Sequence, residues 1–156
     1  IISSLNKNYS LVICGSLKDE GLRLKEITKE LLIDDKIIFT DFVVDADLPY
    51  FHNASDLFVY PSSYEGFGLP ILEAMSCQTP VITSNTSSIP EVANNSAILI
   101  DPFDKSALSE AMLRVLNSPS LLAEYGEKGY KNSLKFTWSN TAKLTLSAYI
   151  DILREN

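Results

Sequence analysis

Two carboxylates and two glycines lie close together near the middle of the chain, in the segment Glu65-Gly-Phe-Gly-Leu-Pro-Ile-Leu-Glu73. An ionised carboxylate only accepts hydrogen bonds, so it suits hydroxyl groups. Glycine lets backbone N–H groups approach a ligand closely, and a helix N-terminus favours anions. Because the glycines and Pro70 exclude a continuous helix between the two acids, we expect Glu65 on a loop and Glu73 one turn into a helix. A ligand with a diphosphate in its middle and a sugar on each side would match that layout.

Each acid also has a purely structural interpretation. The segment Ser62-Ser-Tyr-Glu65 fits a helix capping box, although glycines follow it where an apolar run would be expected. Glu73 could complement the dipole of the helix that it begins. The spacing of the two acids leaves the ligand-binding and the structural interpretation open.

The elements that must position this segment follow from the pattern of apolar residues. Five short apolar runs separated by helical patterns are predicted to be strands: Ser10–Gly15, Lys36–Phe42, Asp56–Tyr60, Pro80–Ser84 and Ala97–Asp101. Strands that alternate with helices indicate an α/β fold, a parallel, doubly wound sheet with helices on both faces. The acidic segment then follows the third strand, at the edge where open α/β sheets bind ligands. After Asp104 the pattern is helical only, so a helical C-terminal third is expected to pack on the sheet. Residues 1–156 are predicted to form a single domain.

Polar residues at the expected helix starts predict several N-caps. Ser16–Asp19 and Ser88–Glu91 resemble capping boxes. The other caps are expected from single side chains, namely Asp47, Asp104, Ser118, and Thr137 or Ser139. The last helix carries an apolar stripe at helical spacing, formed by Ala142, Leu146, Tyr149, Ile150 and Leu153.

Composition excludes several classes of function. The 156 residues include 20 acidic and 13 basic side chains, a net charge of −7, whereas binding of nucleic-acid phosphates requires a basic face. No apolar run approaches the length of a bilayer span. The two cysteines, Cys14 and Cys77, fit no metal pattern, and no metal site is predicted. Cys14 lies in an apolar strand that should be buried on both faces, so a reduced, buried thiol and a cytosolic compartment are expected. The chain opens with Ile1 and no Met, so we expect a fragment of a longer protein.

The acidic segment resembles the E-x7-E motif of family 4 (group 1) retaining glycosyltransferases. The flanking residues agree, since Asp56-Leu-Phe-Val-Tyr-Pro-Ser precedes the motif, and Ile89-Pro-Glu91 and Ile98-Leu-Ile-Asp-Pro102 follow it. The resemblance extends from Ser10 to the end of the chain and includes Phe136-Thr-Trp138. It implies a Rossmann-like domain, the C-terminal, donor-binding half of a GT-B enzyme, with a nucleotide-diphosphate sugar as substrate and no cofactor. The whole enzyme would transfer the sugar to an acceptor hydroxyl with retention, in polysaccharide, glycolipid or glycan biosynthesis.

Carried over residue by residue, the resemblance assigns a role to each part of the segment. Glu65 would be the catalytic-site residue that faces the donor sugar and accepts hydrogen bonds from its hydroxyls, without acting as nucleophile or general base. Glu73 would accept hydrogen bonds from the ribose hydroxyls. The other donor-binding residues would be Gly66, the N–H groups of Phe67, Gly68 and Leu69 at the sugar and diphosphate, Phe42 and Val43 near the base, and Gly15 and Ser16 at the tip of the first strand.

The sequence departs from the family pattern at three places. Asp41 stands where glycine is usual before the base-binding turn, Gln78-Thr79 replaces a usual glycine ahead of Pro80, and Ser87-Ser88 replaces small, glycine-rich residues ahead of Pro90-Glu91. The first departure affects base contacts, and the others alter turns near the sugar pocket. In the family, the Arg and Lys that neutralise the donor diphosphate precede the strand that corresponds to Ser10–Gly15. We therefore expect them outside this chain. The acceptor-binding N-terminal half also lies outside this chain.

Other functions are compatible with parts of the sequence. A nucleotide-sugar epimerase could use the same two-domain scaffold, and a degenerate relative could bind a nucleotide sugar without catalysis. An NAD-binding domain is disfavoured because Gly15-Ser-Leu gives no G-x-G-x-x-G motif. His52, the single histidine, is expected to be a surface or packing residue. The full-length protein is expected in the cytoplasm, where peripheral association with the inner face of the membrane is compatible with the family.

Overall fold

The computed structural model describes residues 9–16 and 18–154. The strands are β1 (Leu11–Cys14), β2 (Ile37–Asp41), β3 (Phe58–Tyr60), β4 (Val81–Ser84) and β5 (Ile98–Ile100). The helices are α1 (Asp19–Glu30), α2 (Leu48–Ala54), α3 (Leu69–Ser76), α4 (Ile89–Ala93), α5 (Lys105–Leu116), α6 (Pro119–Ser133) and α7 (Trp138–Arg154), with a 3-10 turn at Asp34–Lys36. Every strand lies within the apolar run that predicted it, and the α/β class is confirmed.

The strands are parallel but form two ladders instead of the expected single sheet. β1 pairs with β2, and β3, β4 and β5 pair in that order. Within the described residues no ladder joins β1 to β3, and a cavity of about 700 Å³ lies between these two strands. Its walls are mainly the apolar side chains of both strands, together with residues from α2, α3 and α5.

The three-stranded ladder has helices on both faces, as predicted. Successive residues of a strand point to opposite faces, so Val81 packs with α3 and α4 while Ile82 packs with α5 and α6. All four residues of β4 are buried, which is typical of a central parallel strand.

Helix α6 closes the α3 side of the fold through small residues. Gly126 and Gly129 are buried, and a Cβ added at Gly126 would lie 2.5 Å from the Gln78 carbonyl oxygen. The buried Asn132 donates from Nδ2 to the Val92 carbonyl at 2.8 Å, so α6 is also tied to α4. These contacts fix the base of α3, the helix that carries Glu73.

Two predictions about burial are wrong. β1 is mostly exposed, and Cys14 lies at the surface, beside the cavity that borders one edge of β1. Helix α7 has no buried residue, so its apolar stripe does not pack on the sheet. Among the described residues, no helix is long and apolar enough to cross a bilayer.

Three of the predicted caps are correct. Asp104 accepts from the Ser106 and Ala107 N–H groups, Ser118 accepts from the Leu121 N–H, and Thr137 accepts from the Asn140 N–H. The other three caps are wrong. α1 begins after Lys18 instead of Ser16, and the side chains of Asp47 and Ser88 make no capping hydrogen bond.

Candidate functional site

The loop between β3 and α3 holds the Glu65 carboxylate in a defined position. Tyr60 is the last residue of β3, and its hydroxyl donates to Glu65 Oε1 at 2.6 Å. The Tyr60 ring stacks on Phe58 with 5.8 Å between centroids. The hydrogen bond to Glu65, with burial and the charges of Glu65 and Glu73, raises the pKa of Tyr60 to about 12. Tyr60 therefore remains a hydrogen-bond donor at neutral pH.

Side-chain hydroxyls from β4 and the turn after it hold the backbone of the same loop. We name these four residues the hydroxyl ladder: Thr83, Ser84, Thr86 and Ser88. They donate, in chain order, to the carbonyl oxygens of Tyr60, Ser62, Ser63 and Glu65. The Glu65 N–H in turn donates to Ser87 Oγ at 3.0 Å. Both backbone polar groups of Glu65 are thus bonded to the turn after β4.

The start of α3 presents unused backbone donors, as the sequence predicted. Gly68 precedes the helix with a φ of 93°, a conformation that favours glycine, and a Cβ there would lie 3.1 Å from Ile71 Cδ1. Among the described residues, no hydrogen bond uses the N–H groups of Phe67, Gly68 or Leu69. Three donors at a helix N-terminus, next to a fixed carboxylate, suit a ligand with both an anionic group and hydroxyls.

Glu73 lies on the exposed side of α3, one turn into the helix as predicted. It borders the large cavity and also a second one of about 240 Å³, whose other walls include Asp45, Leu48 and His52. Glu73 therefore faces the segment that follows β2.

The other candidate residues form a separate pair of strand tips. The Gly15 N–H donates to the Asp41 carbonyl at 3.0 Å, and the Phe42 N–H donates to Asp41 Oδ1 at 3.0 Å. Phe42 is 73% exposed, and Val43 is half-buried beside it. Gly15, Ser16, Phe42 and Val43 thus lie on the β1–β2 side of the cavity, and Glu65 lies on the β3 side.

Three of the residues that depart from the family pattern share one backbone conformation. Asp41, Gln78 and Ser87 have φ values of 61°, 59° and 51°. This left-handed region favours glycine, so each of these turns could hold a glycine without backbone strain.

Sequence reasoning missed Tyr60 and the hydroxyl ladder as parts of the site. A signal was available in the run of hydroxyl residues that follows the buried strand β4. His52 is a packing residue as expected, since it is buried with its ring edge against Phe58, and burial lowers its pKa. No group of His, Cys, Asp and Glu side chains in the described ranges could hold a metal ion.

Several proteins with similar sequences are named as glycosyltransferases. A family model described as "Glycosyl transferases group 1" matches residues 1–132. The chain belongs to this glycosyltransferase family. The O-antigen chain mannosyltransferase B of Escherichia coli is 39% identical over 141 residues, which are 90% of this chain and 37% of that protein. A serotype-specific mannosyltransferase of Escherichia coli is 33% identical over 99% of this chain and 19% of its own length. The chain therefore spans a minor part of these curated relatives.

A solved structure matches the domain almost end to end. The C-terminal domain of a group 1 glycosyltransferase, LpcC of Francisella tularensis, has a TM-score of 0.70 at 21% identity, over 85% of this chain and 88% of that one. The group 1 glycosyltransferase domain described here thus has the Rossmann-like fold of the C-terminal half of a GT-B enzyme.

Proposed function

We propose that this domain binds the nucleotide-sugar donor of a retaining glycosyltransferase that transfers a hexose to an acceptor hydroxyl. The observation that carries the proposal is the pairing of a fixed Glu65 carboxylate with three unused N–H groups at the start of α3. Glu65 suits the sugar hydroxyls, and the N–H groups suit the sugar and diphosphate. Glu73, one turn further along α3, would accept hydrogen bonds from the ribose hydroxyls.

The site would contribute to catalysis through position and charge. Cleavage of a glycosidic bond passes through an oxocarbenium-like transition state. The departing diphosphate gains negative charge, which fixed donors at a helix N-terminus stabilise. The donor is a substrate, and the proposed chemistry uses no metal or cofactor. Glu65 orients the sugar and does not act as nucleophile or general base.

The relatives suggest which sugar to test first. Two curated relatives are named mannosyltransferases. The solved structure of Anabaena HepE contains UDP and glucose. It has a TM-score of 0.83 at 18% identity, over 96% of this chain and 42% of that one. A hexose donor fits both names. We propose synthesis of a cell-surface polysaccharide in the cytoplasm, with peripheral membrane association of the longer protein.

Binding and transfer should be measured on two polypeptides, the 156-residue chain and a longer one with the length of its relatives. Calorimetry with UDP, GDP and ADP, and with their mannose and glucose derivatives, identifies the base and the sugar. We expect the longer polypeptide to bind one nucleotide sugar and transfer its hexose. The 156-residue chain should bind weakly and transfer nothing, because the donor's Arg and Lys partners and the acceptor half are expected outside it. Turnover by the 156-residue chain alone would refute the second expectation.

Substitution of the two acids tests their roles in the longer polypeptide. Glu65→Ala and Glu73→Ala should each lower kcat/KM roughly ten- to hundredfold, the effect expected when a hydrogen bond to a charged group is lost. Glu110→Ala, at an exposed position on α5, is the matched control and should leave transfer unchanged. Normal transfer by Glu65→Ala would instead favour a domain that binds the nucleotide sugar while another part of the longer polypeptide carries out the transfer.

A further inference from the structure

The arrangement around Tyr60 gives Glu65 a fixed partner that the family motif does not include. Tyr60 ends β3, and its carbonyl accepts from Thr83 of the neighbouring strand at 2.7 Å. Its ring is half-buried and stacked on Phe58, and the Phe58 ring in turn meets His52 at 5.0 Å between centroids. The phenol therefore has a rigid support, which a side chain on the open loop would lack.

This partner limits what the carboxylate can do. Tyr60 donates to Oε1, so that oxygen has already accepted one hydrogen bond, and Oε2 has no partner among the described side chains. A carboxylate held in this way has Oε2 and the remaining lone pair of Oε1 available to accept hydrogen bonds from a ligand. Without Tyr60 the side chain would be free to rotate, and ordering it on binding would cost free energy.

The backbone of Glu65 is held from the opposite direction. Ser87 accepts from its N–H at 3.0 Å, and Ser88 donates to its carbonyl at 2.9 Å. The turn after β4 thus holds the main chain of Glu65, and the strand β3 holds its carboxylate. Strands are more rigid supports for a binding residue than the loop itself.

We propose that Tyr60 is a positioning residue that presents the Glu65 carboxylate to the sugar of the donor. The inference rests on the proposed function, because it assigns Glu65 to the sugar. It makes a specific demand: removal of the Tyr60 hydroxyl must weaken recognition of the sugar and leave recognition of the nucleotide diphosphate intact. A general loss of structure would weaken both.

The test compares Tyr60→Phe with Tyr64→Phe in the longer polypeptide. Tyr64 lies next to Glu65 on the loop between β3 and α3 and is 78% exposed. Its substitution by phenylalanine also removes one phenolic hydroxyl. For Tyr60→Phe, we expect the Kd of the nucleotide sugar to rise roughly ten- to hundredfold, while the Kd of the free nucleotide diphosphate is unchanged. Tyr64→Phe should match the wild type for both ligands.

A double-mutant cycle shows whether Tyr60 acts through Glu65. In the Glu65→Ala background, Tyr60→Phe should have no further effect on nucleotide-sugar binding. If Tyr60→Phe binds the nucleotide sugar as the wild type does, or if its effect persists without Glu65, the inference is overturned and the proposed function stands. If the wild-type protein binds no nucleotide sugar, both are overturned.

Discussion

At the scale of single residues, Gln78 occupies the position after α3 where glycine is usual. Its φ is 59°. The Thr79 N–H donates to the Ala74 carbonyl, and the Gln78 N–H donates to the Met75 carbonyl. These two hydrogen bonds form a Schellman motif. A left-handed L-residue costs roughly 1–2 kcal/mol, and the flexibility of glycine in the unfolded chain offsets part of it. We expect Gln78→Gly to raise the free energy of unfolding by about 0.5–1 kcal/mol in urea titrations. Gln78→Ala is the control, and a glycine variant no more stable than it would contradict the argument.

The Tyr60 phenol predicts a measurable titration. Its pKa rises from 10.0 to about 12 because it donates to the Glu65 carboxylate and lies near two negative charges. Since the folded pKa is above the unfolded one, the stabilisation is complete below pH 10 and is lost as the pH rises towards 12. The difference in tyrosinate absorbance between the wild type and Tyr60→Phe should have its midpoint near 12. Glu65→Gln should move that midpoint towards 10, and an unchanged midpoint would show that the carboxylate is not the cause.

At the scale of elements, the glycines of α6 permit its close approach to α3. Glycine to alanine usually stabilises a helix by about 1 kcal/mol. A Cβ at Gly126, however, would lie 2.5 Å from the backbone oxygen of Gln78, which cannot move freely. We expect Gly126→Ala to lower the free energy of unfolding by about 1–3 kcal/mol. Gly129→Ala is the graded comparison, because its nearest neighbour is the flexible Met75 side chain at 3.0 Å. Thermal unfolding should rank Gly126→Ala as the less stable, and the reverse order would contradict this packing.

The elements also show which parts of the site were predictable from the sequence. Strands and the start of α3 follow from local patterns, so the predicted positions of Glu65 and Glu73 are confirmed. The cap predicted at Ser88 failed because its hydroxyl bonds the Glu65 carbonyl, 23 residues away in the chain. The role of Tyr60 depends on the fold of the loop that returns Glu65 to it. These contacts depend on the tertiary structure, which the periodicity of apolar residues along the sequence does not reveal.

At the scale of the whole molecule, the sequence patterns predict more burial than these 156 residues provide. The apolar residues of β1 and the stripe on α7 both indicate covered surfaces, yet β1 is mostly exposed and α7 has no buried residue. The chain matches only 19% and 37% of the length of two curated relatives. The pattern of apolar residues reflects contacts in the whole protein. On these two surfaces, the pattern predicts burial that the domain by itself does not show.

The gap between β1 and β3 yields a prediction for the longer protein. Among the described residues, neither strand is paired along the edge that borders the gap, and unpaired backbone groups in an apolar cavity are costly. One further parallel strand would pair with both edges. Because the chain spans a minor part of its curated relatives, we propose that this strand comes from the remainder of the longer protein.

Such a strand would cover Cys14, which lines the gap and is exposed in this domain. In the 156-residue chain, Cys14 should therefore react with an aromatic disulfide reagent faster than the half-buried Cys77. In the longer polypeptide the order should reverse, with Cys14 becoming the slower thiol, because an added strand removes it from solvent. Cys14→Ser and Cys77→Ser variants assign each kinetic phase. If Cys14 remains the faster thiol in the longer polypeptide, the gap stays open there and the apolar pattern of β1 requires another cause.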